Sequence, residues 1–164
     1  MKTLHESVTE YKKQLDKGEI QKAYRGLIEY MMNLRNHFKN NNPDFHVSGN
    51  FYQGYMDMTF FSFTTEALKR KYLKIAIVFI HEEIRFEVWL AGYNKTIQEK
   101  YWNLFKESQW NTYRIPPATK GFDSIVECVL ADNPDFNDPD SLTRRIESKT
   151  LKFTEDVTDF LTGK

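Results

Sequence analysis

At 164 residues the chain is the size of one domain, long enough to bury roughly two-thirds of the surface its unfolded form exposes. Its 40% hydrophobic content, with 13 Phe, 9 Tyr and 3 Trp, can fill a core without disulfides or structural metals, and excludes a disordered chain. The 23 basic and 23 acidic side chains cancel, which argues against a dedicated nucleic-acid binder, because that affinity comes largely from neutralising phosphates with Lys and Arg.

The balance is uneven along the chain: residues 1–120 carry 18 basic and 13 acidic groups, whereas 121–164 carry 5 and 10. This reads as an acidic C-terminal segment packed beside a basic body. One cysteine, Cys128, permits no intrachain disulfide, and no run of about 18 apolar residues or apolar leader core interrupts the polar start. The expected setting is the cytoplasm, with no membrane partner.

Thr3 followed by Glu6 is a capping-box signature, and Leu4, Val8, Tyr11 and Leu15 then recur at helical spacing until Gly18 stops the helix. Ile20, Ala23, Tyr24, Leu27, Ile28, Met31, Leu34 and Phe38 form a second stripe that ends at Asn40-Asn41-Asn42-Pro43. Residues 1–42 are therefore expected to form a helical hairpin.

Near Asn50 the period changes from 3.6 to 2. Phe51 to Phe63 reads as one long strand bent near Gly54, and residues 64–71 as a polar link with room for one helical turn. Leu73 to Ile80 is a β-branched run, and Ile84 to Leu90 alternates cleanly. With Glu82 and Glu83 as the turn, Phe79 faces Phe86, Ile77 faces Val88 and Ile75 faces Leu90 on an apolar side. On the other side Ile80 faces Arg85, Val78 faces Glu87, Ala76 faces Trp89 and Lys74 faces Ala91. Glu-Glu is a poor tight-turn pair, but lengthening the loop by two residues keeps this sidedness.

Asn94 reads as the N-cap of a helix running to about Ser108, with Ile97, Tyr101, Leu104 and Phe105 inward. Ile125 to Leu130 is short and begins β-branched, which favours a strand. Asp138-Pro139 opens a last helix whose stripe is Leu142, Ile146, Phe153, Val157, Phe160 and Leu161. The expected fold is a single α+β domain: an antiparallel meander of three to four strands over 50–92, packed against N-terminal and C-terminal helices, with helix, short strand and helix over 94–164.

Several chemistries are excluded by spacing. His81-Glu82 begins a metalloprotease pattern, but Arg85 stands where the second His belongs. His5, His37 and His46 are isolated, and no Gly-rich phosphate loop or nucleophile elbow occurs. Pro134-Asp135 followed by Glu147-Ser148-Lys149 fits a nuclease pattern formally, but its acids fall on a loop and a helix rather than on adjacent strands. Cys128 in its apolar run reads as a small core residue. Neither a catalytic set, a metal site nor a cofactor site is assigned.

The residues on which a site can be built are Tyr55, Asp57, Lys74, Arg85, Glu87 and Trp89. If the first strand turns its odd positions toward the polar face, Asp57 approaches Arg85 and Glu87. Arg then suits an anion, Trp supplies a stacking plate, and the carboxylates serve a metal or a proton. The leading expectation is a non-enzymatic domain that takes a small polar ligand or a protein partner on this face. The alternative is a metal-dependent hydrolase or nuclease using Asp57 and Glu87, and a third reading is homo-oligomerisation through the long second helix or a sheet edge.

Tyr-Met-Asp-Met-Thr-Phe-Phe-Ser-Phe (55–63), Leu-Lys-Ile-Ala-Ile-Val-Phe-Ile-His-Glu (73–82) and Arg-Phe-Glu-Val-Trp-Leu-Ala-Gly-Tyr-Asn-Lys (85–95), with Lys-Tyr-Trp (100–102) and Asn-Pro-Asp-Phe (133–136), resemble a family of bacterial proteins of about this length that has no assigned function. The resemblance covers nearly the whole chain. It implies a free-standing bacterial cytoplasmic domain and transfers no activity.

Overall fold

A computed structural model describes residues 1–164. Thr3 accepts from the Glu6 amide while the Glu6 carboxylate accepts from the Thr3 amide, so the capping box starts helix α1, Leu4–Lys17. Gly18, at φ 79°, closes α1 with its N–H on the Leu15 carbonyl and leads straight into α2, Glu19–Asn41. Strand β1, His46–Tyr52, and β2, Met58–Thr64, follow. A one-turn helix α3, Glu66–Lys69, capped by Thr65, leads to β3, Leu73–Ile80, and β4, Arg85–Gly92. Helix α4, Lys95–Glu107, begins at Asn94, whose side chain accepts from the Ile97 amide. Strand β5, Val126–Asp132, and α5, Pro139–Thr162, complete the chain.

The sheet has five strands in the order β1-β2-β3-β4-β5, each antiparallel to its neighbour. The α+β class and the flanking helices are as expected, but five strands replace three to four. The difference arises at Phe51–Phe63, which is two strands and a reversal rather than one bent strand. Gly54 stands at φ +79°, where a Cβ would lie 2.0 Å from the Met58 carbonyl oxygen, and Asp57 Oδ1 accepts from the Tyr55 amide at 2.8 Å across the turn. Glycine here permits a turn that no other residue fits.

The β3–β4 register matches expectation pair for pair, from Lys74 opposite Ala91 to Ile80 opposite Arg85. The connecting loop is residues 81–84, closed by the Ile84 amide on the His81 carbonyl at 3.2 Å. One side of the sheet presents Phe61, Phe63, Ile75, Ile77, Phe79, Phe86, Val88 and Leu90, all at most 1% exposed. Onto it pack Met31, Leu34 and Phe38 of α2, Leu68 of α3, Tyr101 and Phe105 of α4, and Ile146, Phe153 and Val157 of α5 in one continuous cluster. The loop after α4 is tied down by Tyr113, whose hydroxyl donates to Asp156 of α5 at 2.6 Å.

Two expectations about helix faces fail. Helix α1 buries none of its residues: Leu4, Val8 and Tyr11 are 81%, 52% and 61% exposed, so α1 does not join α2 over the sheet. In α4 Leu104 is exposed, and Trp102 is half-buried in its place, with its indole N–H on the Pro116 carbonyl at 2.8 Å.

Candidate functional site on the open face of the sheet

Alternation puts the even residues of β2 and β3 and the odd residues of β4 on the second face of the sheet. The cross-strand row Phe60, Val78, Glu87, Val129 fixes this assignment across four strands. No residue of that row belongs to the helix-covered core cluster. Phe60 is half-buried and Val129 exposed, whereas Val78 and Glu87 between them are 0% and 5% exposed, so this face is open over its outer strands and buried along its centre.

Arg85, Glu87 and Trp89 stand two residues apart along β4 and form a hydrogen-bonded ladder. Arg85 Nε donates to Glu87 Oε2 at 2.9 Å, and Trp89 Nε1 donates to Glu87 Oε1 at 2.9 Å. Glu83 lies 3.8 Å from the far side of the same guanidinium. Opposite Trp89 on β5 is Glu127, which accepts from Arg114 and, at 2.8 Å, from the Ser124 hydroxyl. Glu87 and Glu127 are 5% and 8% exposed, and each of their four carboxylate oxygens has a donor. Pairing of this kind offsets the desolvation of a buried carboxylate, and it occupies the groups that acid–base or metal chemistry would use.

The six residues singled out from sequence are therefore divided. Arg85, Glu87 and Trp89 come together as expected. Lys74 shares their face. It is six residues from Ile80, the partner of Arg85, about 20 Å at strand spacing, but only two from Ala76, the partner of Trp89, so it neighbours the tryptophan and not the arginine. Tyr55 and Asp57 belong to the β1–β2 turn, because the odd positions of β2 point into the core and not toward Arg85. Tyr55 is 92% exposed. The Asp57 carboxylate, held below its ordinary range by the backbone N–H groups of Tyr55 and Met58, is spent on the turn. Asp57 and Glu87 do not converge on one site.

Lys74 faces a depression of about 710 Å³ over the open side of β1, β2 and β3. Tyr52 and Phe60 stack along one wall, with ring centroids 4.9 Å apart. Ser62, Thr64, Lys74 and Tyr93 contribute to the lining together with residues of β1, among them His46, whose Nε2 lies 3.3 Å from the Glu66 carboxylate; no acidic residue contributes to the lining itself. Lys74 makes no ion pair. Strand β1 makes this wall irregular: Val47 pairs with Phe63 but Phe51 with Phe61, so β1 carries two extra residues. Arg35 of α2 donates through Nε and Nη2 to the Ser48 carbonyl, at 3.0 and 2.5 Å, and holds the bulge from behind.

Sequence reading passed over a second polar cluster. Thr59, fully buried at an inward position of β2, donates its hydroxyl to the Gln53 carbonyl at 2.7 Å and lies 2.8 Å from His81 Nε2. The hydroxyl has one proton and the carbonyl can only accept, so Nε2 carries a hydrogen and donates to Thr59 Oγ1. Burial pushes the His81 pKa down, against a weaker upward pull from Asp57. Tyr24 of α2 reaches the same turn, donating to the Gly54 carbonyl at 3.2 Å. The only signal available in sequence was a threonine at an inward strand position. The residues of the formal nuclease pattern have different partners: Glu147 lies 2.7 Å from His37 Nε2, whereas Asp135 accepts from the Asn137 amide in its own loop.

Fold and site define a one-sided α+β sheet domain with an exposed aromatic and donor-bearing face. The chain belongs to the family described as domain of unknown function (DUF7000), whose model matches residues 4–161. Neither the curated proteins nor the solved structures contain a match. No helix is long and apolar enough to cross a membrane.

Proposed function

We propose that the domain is a non-enzymatic binding module, which receives a small ligand or a protein segment on the open face of its sheet. The observation that carries this reading is the asymmetry of that face. Its buried carboxylates are saturated by internal donors, while the Tyr52–Phe60 stack, Val129 and the Lys74 ammonium remain available beside them. A solvated antiparallel face needs no aromatic surface for stability, and apolar patches of this kind mark contact sites. The occupied carboxylates speak against acid–base catalysis. The single cysteine suits a cytoplasmic setting.

The test is a thermal-shift survey of small metabolites on the protein and on a Tyr52→Ser, Phe60→Ser variant. A ligand at about 100 times its Kd stabilises by roughly 2.7 kcal/mol, which raises the melting temperature of a chain this size by several degrees. The expected result is stabilisation that the variant loses. Hits that stabilise protein and variant equally would move the site off this face. Homo-oligomerisation is a second reading, favoured by the exposed Leu4, Val8 and Tyr11 of α1.

A further inference from the structure

We infer that the depression over β1, β2 and β3 binds a planar aromatic ring bearing one anionic group. This rests on the reading of the open face as a binding surface and gives that surface its ligand class.

Three independent features converge there. The first is charge: Lys74 is half-buried and unpaired in a lining without a single carboxylate, although the chain carries 23 acidic residues. An ammonium so placed has no internal counter-charge, and an anion that enters the depression supplies one. The second is the wall. Tyr52 is 40% exposed and stacked on Phe60, so one ring face of the pair remains for a further aromatic ring at offset-stacking distance. The third is donor content. The hydroxyls of Ser62, Tyr52 and Tyr93 make no hydrogen bond within the chain, whereas the Thr64 hydroxyl is already spent on the Leu73 carbonyl at 2.7 Å. Free donors beside a cation, with no competing acceptor charge, select a ligand that accepts.

The bulge explains why the depression exists. A regular β1 would run flush along β2; two extra residues between Val47 and Phe51 lift the strand away, and the Arg35 contact to Ser48 fixes the raised shape. Lys74 is the one basic side chain of the lining without a carboxylate partner, since His46 lies 3.3 Å from Glu66. One unpaired cation implies one anionic group, and the shared chemistry is an aryl phosphate or aryl carboxylate.

The experiment is amide chemical-shift mapping of the ¹⁵N-labelled protein with phenyl phosphate, inorganic phosphate and benzyl alcohol in separate titrations. The expected result is saturable movement of the Tyr52, Phe60, Ser62 and Lys74 amides with phenyl phosphate, tighter than with either fragment. Lys74→Gln is expected to weaken it about tenfold, as loss of a charge-assisted contact does, and Lys74→Arg to keep most of it; both are strand-surface changes whose spectra report folding directly. Unchanged affinity in Lys74→Gln, or inorganic phosphate moving the same amides as strongly, would overturn the assignment of an aromatic anion. Shifts confined to the Arg85, Glu87 and Val129 end would overturn it too while leaving the open face a binding surface. A face silent to all three probes would overturn the aromatic-anion assignment, while the thermal-shift survey decides the binding face separately.

Discussion

Gly54 shows how much of this architecture depends on one backbone position. At φ +79°, with the Met58 carbonyl where a Cβ would stand, it allows the chain to reverse where alternation alone suggested a continuous strand. Gly54→Ala is expected to cost about 2 kcal/mol or more, from the left-handed penalty together with the clash, and denaturant unfolding measures it. His81 makes a different prediction. Its folded pKa lies below the ordinary value of about 6.5, so between the two values the unfolded chain binds a proton that the folded chain refuses. Stability therefore falls as pH is lowered through that window and is fully present above it. Melting curves from pH 7 to pH 5 should show the loss, and His81→Gln should flatten it. Neither effect was legible in the sequence: both depend on where the β1–β2 turn lies against the end of β3.

Elements were read well where a period met its own boundary signals. Thr3 with Glu6, Asn94 and Asp138 all cap helices, and the β3–β4 register followed from alternation because a slip by one residue would have put Phe79, Phe86 and Val88 in solvent. What periodicity does not reveal is what covers a face. Leu4, Val8, Tyr11 and Leu15 have the spacing of a buried stripe, yet Leu4, Val8 and Tyr11 are exposed and only the C-terminal end of α1, at Gln14 and Leu15, is part-buried beside α2. Deleting residues 1–17 is accordingly expected to lower the melting temperature by less than about 3 °C, since surface of that kind contributes about 1 kcal/mol or less. Phe38→Ala, on the neighbouring helix but fully buried, should cost about 3–5 kcal/mol. Light scattering of the shortened chain shows at the same time whether α1 joins copies: the same number of chains per particle as in the intact protein at every concentration would exclude it.

For the molecule as a whole, the decisive asymmetry is between the two faces of one sheet. Helices α2, α4 and α5 place their apolar stripes against one side, and the polar pattern that alternation assigned to the other side is present there. The candidate site was legible only in part. Arg85, Glu87 and Trp89 meet because they alternate on a single strand, whereas Asp57 and Tyr55 reach that face only if one strand runs unbroken past Gly54, and the β1–β2 turn breaks it there. Lys74 was included for its sidedness alone; the depression beside it depends on an irregularity in β1 that no residue pattern announced. The direct measurement is a crystallographic fragment screen of the intact protein. It should find bound fragments clustered over β1, β2 and β3, against Tyr52, Phe60 and Lys74. Fragments found repeatedly among the helices or at α1, with the open face of the sheet bare, would contradict the account.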